Sequence, residues 1–190
     1  HGQSWQMLAW RFDPHWQGVK GSFLAAEMVE AEAGRVLLFT TWVDRSDPQR
    51  PLFDPETEGL LPTRILYAES RDEGRSWSKP IPTGIKMVAP CLLTLKDGTV
   101  VCLYGYGSTG GLQIIFSDDH GHTWTAPARD RGFPVDGSVY VYAIRTALAD
   151  GSIYVVYYDP RGKQQKTAIW GLRLRIRKDR RGIDLLEIRK

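Results

Sequence analysis

The 190-residue sequence has only two cysteines, a small net charge and no long hydrophobic run. Without about 18 consecutive apolar residues, it offers no candidate for a transmembrane helix. The formal net charge of +3 is too small to indicate a nucleic-acid partner by itself. Cys91 and Cys102 flank a predicted turn at Asp97-Gly98 asymmetrically, and we expect two buried free thiols rather than a disulfide. Cysteine usage therefore leaves the cellular compartment open.

The composition is that of a globular domain rich in strand-forming residues. Hydrophobic residues make up 42% of the chain and charged residues 25%, which is an ordinary balance. The length is sufficient for one domain with a substantial core. Seven Trp and eight Tyr favour strands over helices.

An eight-residue pattern, Ser-x-Asp-x-Gly-x-(Ser/Thr)-Trp, occurs at 70–77 and at 117–124. The second copy contains His120, His122 and two adjacent aspartates, which by themselves suggest a hydrolytic triad, a metal site or a carboxylate pair. The first copy has no histidine, so the recurring features are turn residues and one large aromatic ring. We therefore interpret both copies as structural hairpins. The shared residues are Ser70, Asp72, Gly74, Trp77, Ser117, Asp119, Gly121 and Trp124.

Apolar runs of strand length alternate with turn signals along the chain. Asp97-Gly98 and Asp150-Gly151 each separate two alternating apolar runs, which is typical of β-hairpins. The two turns lie 53 positions apart, and a turn at Gly34 lies 64 before Gly98. A long polar loop at 44–62 accounts for the excess. A period of about 50 residues in four-strand units predicts a β-propeller.

We thus predict an all-β chain made of propeller blades with four antiparallel strands each, about three blades in all. The Ala and Glu content of 24–33 also suggests a helix, but comparison with later segments favours a strand. Residues 1–5 match the last five places of the repeated pattern, so we expect the natural protein to continue N-terminally. The predicted divisions of this single partial domain are the end of a truncated blade at 1–17 and blades at 18–82, 83–130 and 131–190.

Residues 172–181 alternate apolar side chains with arginines and end in a basic cluster. A nucleic-acid-binding stripe would show this pattern, but so does a strand with one solvated basic face. We favour the second interpretation.

The two eight-residue patterns resemble the Asp boxes, or bacterial neuraminidase repeats, of sialidases and related six-bladed propellers. The resemblance covers nearly the whole chain. It implies a glycoside hydrolase that acts on a carbohydrate substrate without a metal or other cofactor, and it alone implies an extracellular or periplasmic location. Asp boxes also occur in propellers without enzymatic activity.

The resemblance also implies a tyrosine nucleophile, which is the exception that sialidases make among glycosidases. The matching position is Tyr142, at the start of an inner strand that leads to the Asp150-Gly151 turn. Tyr140 lies two residues earlier on the same strand face and is the alternative. A tyrosine needs a nearby base to become nucleophilic. The family places a Glu where this chain has Ala25, and Glu27 on the same face is the candidate substitute.

The family binds the substrate carboxylate with three arginines. Arg45 matches one of these positions, whereas Gln113 stands where another Arg is expected. Gln cannot provide the charged bidentate contact of Arg. Arg64 occupies the comparable strand of the preceding blade and is a further candidate. The family's acid/base Asp and first Arg would lie N-terminal to this sequence.

These residues predict the C-terminal part of a sialidase-like hydrolase that removes terminal acidic sugars and is inactive by itself. The departures at Ala25 and Gln113 favour a second hypothesis, a non-catalytic Asp-box propeller that binds glycan or protein. A glycosidase with another sugar as its substrate is the third.

Overall fold

The computed structural model describes residues 12–52, 63–85, 88–105, 111–137, 143–159 and 168–186. Every regular element in these ranges is a β-strand, which confirms the predicted all-β class. In the same ranges there is no helix of the length and apolarity that a membrane crossing requires.

The strands form three antiparallel sheets in which neighbours follow chain order. The first sheet contains β1 (His15–Trp16), β2 (Val19–Glu32), β3 (Arg35–Asp44), β4 (Thr63–Ser70) and β5 (Ile81–Pro82). The second contains β6 (Val88–Thr94), β7 (Val100–Gly105), β8 (Leu112–Ser117) and β9 (Phe133–Asp136). The third contains β10 (Ala143–Ala147), β11 (Ile153–Asp159), β12 (Ala168–Ile176) and β13 (Ile183–Leu186).

The segment with helical composition is the long strand β2. Its residues pair with β3 almost throughout, with Glu27 opposite Phe39, and the hairpin turns at Gly34 with φ +76°. Side-chain burial alternates from Ala26 to Glu30 as it does on a half-buried strand. Cross-strand pairing thus overrides the helix propensity of Ala and Glu.

Two of the sheet limits differ from the predicted blade divisions. β1 pairs with β2, so the first sheet begins before residue 18. β9 pairs with β8, which extends the second sheet beyond residue 130. Phe133 of β9 stacks on Phe116 of β8 with ring centroids 5.7 Å apart, and this contact explains why the chain returns to the same sheet.

The middle sheet is buried on both faces, as it is in a stack of propeller blades. One face packs against the third sheet, where Val101 and Phe116 belong to the same buried apolar cluster as Val155 and Leu174. The other face packs against the first sheet through Leu92, Cys102, Tyr104, Ile115, Phe39 and Ile65. Cys91 and Cys102 are buried and free, as predicted.

The inner strands β2, β6 and β10 lie side by side. Thr94 Oγ1 donates to the Glu30 carbonyl at 2.6 Å, which joins β6 to β2. Arg145 Nε donates to the Leu92 carbonyl at 2.9 Å, which joins β10 to β6. The three inner strands begin at one end of the assembly, hereafter the open end, and run to their Gly turns at the other end.

The arginines of β12, and Arg177 directly after this strand, are paired with acidic groups. Asp150 accepts hydrogen bonds from Arg173 and, at 2.9 Å, from Arg175. Arg177 Nε donates to Asp184 at 2.8 Å. This compensation favours a solvated strand face over a nucleic-acid-binding stripe.

Candidate functional site

The first motif hairpin follows β4 at the end of the sheet opposite the open end. Asp72 accepts hydrogen bonds from Ser70 Oγ at 2.8 Å, from Ser76 N at 2.8 Å and from Ser76 Oγ at 2.6 Å. Gly74 N donates to Ser70 Oγ, and Trp77 Nε1 donates to the Gly74 carbonyl. The bonds from Ser76, followed by that from Ser70, lower the pKa of Asp72 to about 2. The Asp72 carboxylate therefore stabilises the turn through its hydrogen bonds.

The second motif hairpin follows β8 and has the same arrangement. Asp119 accepts from Ser117 Oγ at 2.7 Å, from Thr123 N at 2.8 Å and from Thr123 Oγ1 at 2.7 Å. The Thr123 bonds hold the pKa of Asp119 far below its usual range. Gly121 N donates to Ser117 Oγ, and the Trp124 ring packs 5.5 Å from a first-sheet ring, that of Phe39.

The second hairpin also ties the first two blades together. His120 Nδ1 donates to the Ala31 carbonyl at 2.9 Å. Arg35, only 4% exposed, pairs with Glu69 at 2.8 Å and donates to the His120 carbonyl. His120 therefore has a structural partner in the neighbouring blade and is not arranged as part of a hydrolytic triad.

The inner strands bring together two charged side chains that are 118 positions apart in the sequence. Arg145 Nη2 of β10 lies 3.0 Å from Glu27 Oε2 of β2, and the intervening strand β6 supplies the Leu92 carbonyl to the same guanidinium. The Glu27 side chain is 38% exposed and that of Arg145 20% exposed. Glu27 thus lies at the inner strands, partly accessible and held by a fixed cation.

Arg145 was not among the residues predicted from the sequence. One feature of the sequence could have indicated its importance, namely that Arg145 is a single charge within the otherwise uncharged strand β10. A half-buried guanidinium in such a strand requires a partner. That partner could not be named from the sequence, since it lies two blades away.

Two residues predicted to contact a substrate make hydrogen bonds within the protein. Arg45 donates to the carbonyls of Pro48 and Arg50, both at 2.7 Å, and thereby braces its own loop. Gln113 is 6% exposed, and its Oε1 accepts from Gly132 N at 2.8 Å inside the middle sheet. The contacts of both side chains with a substrate carboxylate stay predictions.

Tyr142 and Tyr140 lie outside the described residues, which end at Gly137 and resume at Ala143. The Ala143 carbonyl accepts a bond of 3.1 Å from Cys91 Sγ, so the start of β10 lies against β6. Burial raises the pKa of Cys91 to about 11, which makes this thiol a poor nucleophile.

Arg64 lies at the open end of the first sheet, on the rim of a cavity of about 330 Å³. Its guanidinium carbon is 4.3 Å from the centroid of the Trp16 ring. The Trp16 and Trp42 rings are 5.7 Å apart. We call this cavity the Trp16 pocket; its walls include Trp16, Val19, Trp42, Asp44, Arg50 and Arg64.

No protein-family model matches the sequence, and comparison with curated proteins gives no match. Among solved structures, the chain is similar to a protein of unknown function from Dyadobacter fermentans, with TM-score 0.61 and 17% identity over 87% of this chain and 54% of that one. It is also similar to the Hadza microbial sialidase Hz136, with TM-score 0.56 and 19% identity over 90% of this chain and 35% of that one. A third similar structure is the intramolecular trans-sialidase from Ruminococcus gnavus, with TM-score 0.57 and 11% identity over 90% of this chain and 55% of that one.

The chain has a sialidase-like propeller fold. It spans between about a third and just over half of the length of these three proteins. At such low identity the similarity concerns the fold, and the function has to be argued from the site.

Proposed function

We propose that this chain forms part of a sialidase-like glycoside hydrolase in which Tyr142 is the nucleophile and Glu27 accepts its proton. The observation that carries this proposal is the partly exposed Glu27 carboxylate at the inner strands, held at 3.0 Å by Arg145. A carboxylate fixed in one orientation is what a tyrosine nucleophile requires of its base. Arg145 lies only three positions after Tyr142 in the sequence.

In the proposed reaction, Tyr142 Oη bonds to the anomeric carbon as its proton passes to Glu27. The bond from that carbon to the aglycone oxygen breaks, and the leaving oxygen needs a proton from a general acid. We expect this acid to be the family's Asp, N-terminal to the sequence. Water then attacks the anomeric carbon and gives a proton to the Asp, the glycosyl-tyrosine bond breaks, and Glu27 returns its proton to the tyrosine oxygen, which releases the sugar and restores all three groups.

The second candidate is a glycan-binding propeller without hydrolysis. The structural roles of Arg45 and Gln113 favour it, because the described residues then lack two of the contacts that would hold a substrate carboxylate. The same observation favours a hydrolase for another sugar as the third candidate.

A panel of fluorogenic sialosides and neutral glycosides separates these candidates. We expect no turnover by residues 1–190 alone and measurable turnover by a longer polypeptide that contains them. In the active polypeptide, Tyr142→Phe and Glu27→Gln should each lower kcat by roughly 100-fold or more while glycan binding is retained. Tyr154→Phe, on the third sheet, is the matched control and should leave kcat unchanged.

The outcomes are distinct. Glycan binding without turnover by any polypeptide would support the non-catalytic candidate. Turnover of neutral glycosides but not sialosides would support the third. Full activity in Tyr142→Phe would overturn the assigned nucleophile, and strong activity of residues 1–190 alone would overturn the assignment of the acid to a segment outside them.

A further inference from the structure

The Trp16 pocket is separate from the Glu27–Arg145 pair. Strand register places Trp42 opposite Arg64, whereas Glu27 is opposite Phe39. Trp42 and Phe39 are three positions apart, so their side chains leave opposite faces of β3. Phe39 faces the middle sheet. The Trp16 pocket therefore opens on the other face of the first sheet, at its open end.

The aromatic wall of the Trp16 pocket is built into the fold. Gln17 and Gly18 both have positive φ, at 53° and 79°, which is the geometry of a tight hairpin turn and brings Trp16 back over the sheet. A Cβ on Gly21 would lie 2.0 Å from Trp42 Nε1, so the indole lies directly on the backbone of β2. Trp42 Nε1 donates to the Pro14 carbonyl at 2.8 Å. Trp42 is thus a fixed back wall, and the half-buried Trp16 is the accessible ring.

The polar wall of the pocket, formed by Asp44 and the loop that carries Arg50, is also fixed by hydrogen bonds. Asp44 accepts from Ser46 N at 2.8 Å and from Ser46 Oγ at 2.7 Å. The two bonds from the Arg45 guanidinium to the carbonyls of Pro48 and Arg50 close the loop from the inside. The backbone that carries Arg50 is therefore positioned before any ligand arrives.

The pocket carries an excess of positive charge. Arg50 and Arg64 line it, against the single carboxylate of Asp44. Among the described residues, neither guanidinium makes an ion pair with a carboxylate, and Arg64 is held only by its contact with the Trp16 ring. Guanidinium groups bind oxyanions through paired hydrogen bonds, and an aromatic ring offers an apolar face to a sugar ring.

We propose that the Trp16 pocket binds a saccharide unit that carries an oxyanion, either a sugar carboxylate or a sulfate ester. The sugar ring lies against Trp16, and the oxyanion pairs with Arg64 and Arg50. The cavity of about 330 Å³ falls at the small end of the usual range for ligand pockets. The proposal concerns binding alone and does not rest on hydrolysis at Tyr142.

The test is a titration of the 190-residue chain followed through the Trp indole N–H signals in nuclear magnetic resonance spectra, with the Trp16 signal assigned by Trp16→Phe. The ligands are methyl glucuronide, N-acetylneuraminic acid, glucose 6-sulfate, methyl glucoside and inorganic sulfate. We expect one or more anionic sugars to shift the Trp16 signal saturably and methyl glucoside to bind at least about tenfold more weakly.

Arg64→Gln and Arg50→Gln should each weaken binding of the anionic sugar by about tenfold or more, because each removes a charged hydrogen bond. Both side chains are exposed, so the midpoint of thermal unfolding should stay close to that of the wild type. Arg75→Gln is the matched control, since Arg75 is exposed and pairs with Glu73 at the opposite end of the sheet. It should bind as the wild type does.

Unchanged affinity in both arginine variants, or no binding of any anionic sugar, would overturn the proposal. Inorganic sulfate that binds as tightly as the sugars would reduce the pocket to an anion site and overturn its saccharide part. Tyr142→Phe and Glu27→Gln should leave this binding intact, so a failure of the proposed hydrolase and a failure of the pocket are distinguishable. Preference between the carboxylated and the sulfated sugar identifies the oxyanion.

Discussion

Glu27 and Arg145 form an ion pair of 3.0 Å between the first and third blades, with a strand of the second blade between them. The same guanidinium donates to the Leu92 carbonyl of that middle strand. One side chain therefore connects the inner strands of all three described blades. The arrangement has a mechanical consequence and a functional one, because the residue that orients the proposed base also holds the blades in register.

Loss of Arg145 should destabilise the whole chain. Arg145→Met removes a charged hydrogen bond to Leu92 and the ion pair with Glu27, and we expect the free energy of unfolding to fall by about 2 kcal/mol. Glu27→Gln retains a hydrogen-bond acceptor and should cost about 1 kcal/mol or less. In urea denaturation, the double variant should be less destabilised than the sum of the single variants. Strict additivity would show that the two side chains do not interact.

Acid sensitivity should arise in part from Asp72 of the first motif hairpin. Hydrogen bonds from Ser76 and Ser70 lower its pKa from the usual 3.8 to about 2. Because the pKa is lower in the folded chain, this contribution is complete above about pH 4 and is lost as the pH falls towards 2. In thermal denaturation, Asp72→Asn should flatten the dependence of the unfolding midpoint on pH in this window.

Lys79→Gln is a suitable control for that measurement, because it changes one charge next to the same hairpin and leaves the bonds of Asp72 in place. A pH profile in Asp72→Asn as steep as that of the wild type would show that this carboxylate does not contribute.

Gly21→Ala should damage both the stability and the Trp16 pocket. The added Cβ would lie 2.0 Å from Trp42 Nε1, so the buried indole must move or the strand must shift. Overpacking of this kind costs about 1–3 kcal/mol. Gly137→Ala is the control, because a Cβ there meets nothing within 4 Å and its backbone needs no glycine. Equal unfolding midpoints for the two variants would contradict the close contact between Trp42 and β2.

Both thiols should resist alkylation in the folded chain. Burial raises the pKa of Cys91 to about 11 and raises that of Cys102 as well, so neither forms an appreciable thiolate at pH 8. Iodoacetamide should label neither residue in native buffer and both in guanidinium chloride without a reductant, as followed by mass spectrometry. Rapid labelling of the native chain would contradict their burial, and a need for reductant would contradict the free thiols.

Much of the fold could be predicted because its signals are local. The Asp97-Gly98 and Asp150-Gly151 turns join β6 to β7 and β10 to β11, as their spacing indicated. Comparison with later segments predicted a strand at 24–33, although the composition suggested a helix, and β2 confirms this strand as far as Glu32. The limits at β1 and β9 were missed, because β1 is only two residues long and β9 is set by the contact of Phe133 with a ring in the preceding strand.

The candidate site was less accessible to sequence reasoning. Glu27 was predicted from its strand face, but its partner Arg145 was not. The role of Glu27 as a base and the contact of Arg45 with a substrate stay predictions. Arg64 was predicted from its strand position, whereas the Trp16 and Trp42 rings beside it were not predicted to form the wall of a pocket. The nucleophile Tyr142 remains a prediction.

The amino-acid sequence by itself determined the hairpins, because their bonds join residues two to four positions apart, as from Ser117 to Asp119 and from Thr123 to Asp119. Such contacts depend on residue type and spacing alone. Only the tertiary structure decided which charges meet, because the contact between Glu27 and Arg145 spans 118 positions and requires three blades to stack with their inner strands together. The Trp16 pocket likewise depends on the twist and register that bring Trp16, Trp42 and Arg64 to one corner of a sheet.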